Sequence, residues 1–309
     1  MSTRTATPHP APHSALRRLV ARHPVVTFLV MVYAVNIAVV LPPILTQRDL
    51  LPFNLDLADS LGPIFGVALP AFLVIAALHG RAGVRDLAQR CLRWRVAPQW
   101  YLFALLGVPI GAAVCASAIF GLAPLHQLQD KWPLLFTVVV PEFLLLIVFY
   151  IGPEEICWMG FLQARLQERY GPLLASILVT IPFALYHLPG LMVQNGVALS
   201  LAQLPLVLLL LGVLALSQLF GRVVLMWLYN TTHRSVLLVV LFHASFDATN
   251  DAVRLILLPG ADVGTVFLIP SSVLVVVAVL IVVFTRGRLS YAPEKGALQP
   301  SVPPSPPFQ

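Results

Sequence analysis

Glu154 and Glu155 stand side by side in a stretch otherwise built of apolar residues. Leu144, Leu145, Leu146, Ile147, Val148 and Phe149 lead into the pair through Gly152 and Pro153, and Ile156, Trp158, Met159, Phe161 and Leu162 follow it. One carboxylate at the centre of a membrane span costs about 2.5–3.5 kcal/mol on insertion scales, and a second beside it adds to that. Packing alone seldom justifies such a cost, so the pair points to chemistry. Three further polar residues interrupt apolar runs: His187, His243 and Asp247. A carboxylate held away from bulk water can act as a general base. An imidazole beside it can orient water, shuttle a proton or, when protonated, stabilise an oxyanion. Water attack on an amide needs those roles together.

Spacing ties these residues to one another. His243 and Asp247 are four apart, which puts them on one helical face a turn from each other. The Tyr170-Gly171-Pro172 step is a strong helix breaker. Glu154 lies 16 residues before Tyr170 and His187 lies 16 after Gly171. In an antiparallel hairpin both would sit at one depth, roughly 24 Å from the turn. His243 is nine residues beyond Arg234, roughly 14 Å along its own helix, which is compatible with a shared layer.

Each residue also has a plain structural reading. Paired glutamates at a helix end usually make a solvated face. His187, before Leu188 and Pro189, suits an interfacial helix end, and His243 with Asp247 suits a local pair. Glu142 has no evident partner in sequence, and Cys157 reads as a small packing residue rather than a nucleophile, with no histidine near it.

The elements that must position these groups are membrane helices. The chain has 309 residues, 59% hydrophobic and only 10% charged, with a mean hydropathy of +0.88, whereas soluble domains carry about 25% charged residues. Apolar runs of spanning length fall near 24–46, 61–79, 99–122, 132–152, 172–190, 202–228, 235–256 and 263–285. The expected fold is therefore all-α: a polytopic membrane helical bundle of about eight transmembrane helices over 24–285, its catalytic core about 132–256. Helical periodicity (Ile156, Met159, Leu162, Leu166) continues past the glutamates, with Pro153 as a kink or a new start.

A basic N-terminus, 1–23, and a Pro-rich tail, 286–309, are expected to be disordered. Arg17, Arg18 and Arg22 precede the first span, Arg81, Arg85, Arg90, Arg93 and Arg95 follow the second, and Arg286 and Arg288 follow the last. The loop near 47–60 carries Asp49, Asp56 and Asp59. That bias places both termini in the cytoplasm, and the expected location is a bacterial plasma membrane. It also accounts for the net charge of +6 without nucleic acid, for which no basic surface interleaved with aromatics appears. Cys91, Cys115 and Cys157 form neither a disulfide framework nor a CxxC site.

The segments Glu154-Glu155-Ile156-Cys157-Trp158-Met159, Phe183-Ala184-Leu185-Tyr186-His187 and His243-Ala244-Ser245-Phe246-Asp247 resemble, in order, the EExxxR, FxxxH and HxxxN/D motifs of the CPBP intramembrane proteases. That family includes CAAX-processing prenyl endopeptidases and bacteriocin-immunity relatives. The resemblance implies that Glu154 activates water, with Glu155 as its supporting carboxylate. It implies that His187 positions the water and that His243 and Asp247 stabilise the oxyanion, an aspartate doing so as a donor only when protonated. The implied substrate is a membrane-borne peptide or protein, prenylated or not. Met159 stands where the family pattern has arginine, and Arg222, inside the sixth span, is a candidate to supply that charge from another helix. No cofactor is expected: two histidines near carboxylates suit zinc, but HExxH is absent and the resemblance favours metal-independent hydrolysis. Two other classes stay open. A non-catalytic immunity or scaffold protein of the same fold is one, and a proton-coupled transporter, which inverted repeats would favour, is the other.

Overall fold

The computed structural model describes residues 15–47, 64–194 and 200–293. Ten helices account for it, with no strand among the described residues: α1 (Ala15–Arg22), α2 (Pro24–Gln47), α3 (Leu69–Cys91), α4 (Pro98–Phe120), α5 (Ala123–Lys131), α6 (Leu135–Tyr170), α7 (Pro172–Gln194), α8 (Leu204–Thr231), α9 (Val236–Leu257) and α10 (Val263–Thr285). Seven of them, α3, α4 and α6 to α10, are long and apolar enough to cross a membrane. The polytopic bundle is therefore as expected. The first expected span, 24–46, is helical as α2.

Three boundaries differ from the sequence reading. Residues 15–22, expected to be disordered, form α1, where Val20 is buried and Arg17 Nε donates to the Ala77 carbonyl at 2.9 Å. Helix α3 does not stop at 79 but breaks at Gly80, where φ is 61°, and resumes to Cys91. Arg81, Arg85 and Arg90 are thus helical, and Arg90 is buried. After α10 the chain turns back so that Leu289 is fully buried, held by Asn230 Nδ2 donating to the Leu289 carbonyl at 3.0 Å. The aspartates of the 47–60 loop, residues 1–14 and the tail from 294 lie outside the described residues.

Helix α4 shows how the bundle sorts its surfaces. Ala104, Val108, Ala112 and Ala116, four apart, are buried, while Leu102, Leu106, Ile110 and Val114 are exposed. Lipid tails are as apolar as leucine, so burying leucine against protein gains little in a bilayer. Small side chains that let backbones approach are what an interface needs. The small face meets α9, where Ser245 Oγ donates to the Leu105 carbonyl at 3.0 Å, and α10, where Gly111 lies against Val273. Helix α9 is the centre of the bundle, with 67% of its apolar window buried.

Helix α6 changes environment along its length. Leu144, Leu145, Val148 and Phe149 are exposed, whereas Ile151, Glu154, Glu155, Cys157, Trp158 and Met159 are buried. At the change the backbone winds wider, with π-helical turns at Leu146–Ile151 and Trp158–Gln163. Pro153 offers no N–H and its ring presses on the preceding turn. The wider turn absorbs this, because Gly152 N–H bonds the Ile147 carbonyl five residues back. Helix therefore continues through the proline. A Cβ at position 152 would collide with that Ile147 oxygen, so the close approach requires glycine.

Arg90, Arg93 and the turn after α10 share one end of the bundle. Ser235 Oγ donates to the Arg93 carbonyl at 2.6 Å and Arg93 donates to the His233 carbonyl. Arg90 Nη1 donates to Gly160 O and Tyr229 Oη, both at 2.9 Å. Gly287, after α10, lies beside Leu173 at the start of α7. The ends of α3, α6, α8 and α10 and the starts of α4, α7 and α9 share this side.

Candidate active site

Glu155 is completely buried and its two oxygens are fully engaged. Arg222 on α8, also completely buried, donates through Nη1 to Oε2 at 3.0 Å and through Nη2 to Oε1 at 2.7 Å. This is the two-pronged guanidinium–carboxylate geometry that fixes direction as well as charge. Oε1 also accepts from His243 Nδ1 on α9 at 2.7 Å. With Nδ1–H committed to a carboxylate, His243 turns Nε2 outward, toward Asp247 Oδ2 at 3.9 Å. That separation exceeds a hydrogen bond, and a water can bridge it.

Glu154 faces a different partner. His187 Nε2 on α7 lies 3.3 Å from Glu154 Oε1, and His187 Nδ1 donates to the Phe183 carbonyl at 2.9 Å. A carbonyl can only accept, so Nδ1 carries a proton and Nε2 is the nitrogen turned to Glu154. The depth match counted from the Gly171-Pro172 turn is thus realised as a contact. Phe183 supports both halves of the cluster: its ring lies 4.4 Å from the His187 ring centroid and 4.2 Å from the Arg222 guanidinium carbon. Tyr33 Oη donates to Pro182 O at 2.8 Å and Asn36 Nδ2 to Tyr186 O at 3.1 Å, which pins this turn of α7 to α2.

The cluster grades from dry to accessible. Side-chain exposure is 0% at Glu155, 12% at Glu154, 30% at His187 and 34% at Asp247. Asp247 lies within electrostatic reach of His243, Glu154, His187 and Glu155, so all five sequence-selected residues converge. A crevice of about 20 Å³ between α8, α9 and α10 reaches His243 past Ser217 and Gln218, which is room for about one water with polar partners. A larger polar cavity of about 160 Å³, at the basic end among Asp86, Arg90, Gln167 and Arg234, is separate from the glutamates.

Sequence spacing missed three things. Arg222, named only as a candidate, is the direct partner of Glu155. Gln163 Nε2 donates to the Arg222 carbonyl and to Ser176 Oγ, both at 3.0 Å, tying α6, α7 and α8 together. Glu142 does have a neighbour, for its carboxyl lies within electrostatic reach of Asp251, one turn beyond Asp247. The signal available for Arg222 was the one that exposed the glutamates, a charge inside an apolar span. Among the described residues no three His, Cys, Asp or Glu side chains group as metal ligands.

The fold and cluster define a class: a multi-pass integral membrane protein with paired carboxylates and imidazoles converging between its helices. Residues 136–249 match the family model described as type II CAAX prenyl endopeptidase, Rce1-like. That match runs from α6 to α9, the four helices that supply every group of the cluster. No curated protein matches the chain.

Proposed function

We propose that this protein is an intramembrane endopeptidase that hydrolyses a peptide bond of a membrane-borne substrate with water activated by Glu154. The observation that carries the reading is the Glu154–His187 contact at 3.3 Å, set beside a second carboxylate already neutralised by Arg222. Two adjacent carboxylates thereby take different tasks. Glu155, fully bonded, is an orienter. Glu154, bonded only toward His187 Nε2, keeps lone pairs for a water proton.

The steps follow from that division. A water held against a free lone pair of Glu154, beside His187, gives a proton to Glu154 as the water oxygen attacks the carbonyl carbon. His243, aimed by Glu155 and carrying a proton on each ring nitrogen, donates Nε2–H to the developing oxyanion, and Asp247 beside it serves as a second donor when protonated. The proton held by Glu154 then passes to the leaving nitrogen as the C–N bond breaks. Removing an oriented oxyanion donor typically costs about 10²–10³-fold in kcat. No step needs a metal, so a chelator leaves the rate unchanged. The description of the matching family directs the substrate choice to membrane-borne C-terminal peptides, prenylated and unprenylated, and the basic end is assigned to the cytoplasmic side of a plasma membrane.

The test incubates purified protein in lipid nanodiscs with such a peptide library and reads products by mass spectrometry. Cleavage by wild type that is lost in Glu154→Ala and in His187→Ala is the expected result. Cleavage that neither substitution changes would remove the site, and no cleavage of any peptide by wild type would return the non-catalytic reading.

A further inference from the structure

We infer that Arg222 does the work of the missing first-motif arginine, delivered from a different helix, with Met159 filling the space that the arginine would occupy. Position 159 is four residues after Glu155, one turn on along the same face, where an arginine side chain reaches back to a carboxylate. Here that position is a completely buried methionine packed in the same apolar cluster as Val223, Val224 and Met226 of α8. The cation stands one residue before them, on Arg222. A completely buried carboxylate needs an opposite charge within bonding distance, and the two Arg222 bonds supply it. Nε of Arg222 has no hydrogen-bond partner, so all of its directed side-chain bonding goes to Glu155.

The backbone around Arg222 is fixed for this task. Gln163 on α6 and Ser176 on α7 both donate to the Arg222 carbonyl, at 3.0 and 3.4 Å. Phe183 covers the guanidinium face. The pair is thus assembled from three helices rather than one turn of α6. Arg222 touches no substrate-facing group. It acts through Glu155, whose Oε1 holds His243 Nδ1, and is a positioning residue for His243.

This inference rests on the hydrolase reading for its catalytic half only. The experiment therefore measures both thermal unfolding in nanodiscs and peptide cleavage for Arg222→Met, Arg222→Lys and the double variant Met159→Arg/Arg222→Met. Arg222→Met is expected to lower the unfolding midpoint and to reduce kcat by about 10–100-fold, the scale on which orienting partners act, with KM little changed. Arg222→Lys, which keeps charge without the planar fork, is expected to recover part of both. The double variant is expected to recover the midpoint and most of kcat. A double variant no better than Arg222→Met in both readouts overturns the inference. If Arg222→Met does not fold, folding of the double variant alone upholds it. If wild type cleaves nothing, recovery of the midpoint upholds the relocated arginine while the hydrolase reading fails.

Discussion

Glu154 and Glu155 are adjacent in sequence yet live in different electrostatic worlds. One is saturated by Arg222 and His243, and the other is bonded only to an imidazole that can exchange a proton. His187 is fixed in tautomer by the Phe183 carbonyl, so its Nε2 is expected to be essential. His187→Ala should lower kcat by about 10²–10⁴-fold, whereas His187→Gln, which places an amide near the same point, should retain more activity. Initial rates on a cleaved peptide check both. Most of this scale was legible in the sequence because helical spacing carries it: 16 residues either side of one turn placed Glu154 opposite His187. The Arg222–Glu155 bonds and the approach of Glu142 to Asp251 were not legible. Each crosses between helices whose relative rotation no spacing encodes, and a long side chain can reach several positions.

At the scale of elements, small residues and backbone register decide where the groups stand. The buried Ala104, Val108, Ala112 and Ala116 stripe lets α4 press on α9 and α10. Ala112→Leu is therefore expected to overpack this seam and cost about 1–3 kcal/mol, read as a lower midpoint of unfolding in micelles. The start of α10 is capped by Asp262, which accepts from Thr265 N at 3.0 Å and Thr265 Oγ1 at 2.6 Å. Those bonds hold the exposed Asp262 carboxyl below its ordinary range. A group depressed on folding contributes stability that is present above its unfolded pKa and lost as pH falls through its folded one. Amides of the first turn of α10 should thus exchange hydrogen faster once the pH drops below the ordinary aspartate range, and Asp262→Ala should show fast exchange at neutral pH as well. Helix content was readable from hydropathy, but the ends were not. The second span was expected to end at 79. The structure carries helix on to Cys91, since only one residue breaks and Arg90 finds bonds with Gly160 and Tyr229.

For the whole molecule, the gathering of Arg90, Arg93, Arg234 and the turn after α10 at one end predicts, through the positive-inside rule, that this end faces the cytoplasm. Cysteines introduced as Arg95→Cys and Arg288→Cys, with Cys91, Cys115 and Cys157 replaced, should both be shielded from an impermeant maleimide applied outside intact cells. Both should react in inverted vesicles. Labelling of either from outside would refute the assigned sidedness. The sequence expectation rests on the same charge asymmetry, which survives uncertainty in every helix boundary. Catalysis is the whole-molecule property that most depends on the account, since it requires α6, α7, α8 and α9 in register within a bilayer. The most direct measurement compares wild type with Glu154→Gln, equal in unfolding midpoint, for cleavage of one membrane peptide in nanodiscs prepared in ¹⁸O-water. The account predicts ¹⁸O in the new carboxylate from wild type and a rate about 10²–10⁴-fold lower in Glu154→Gln. Equal rates from the two proteins would contradict it.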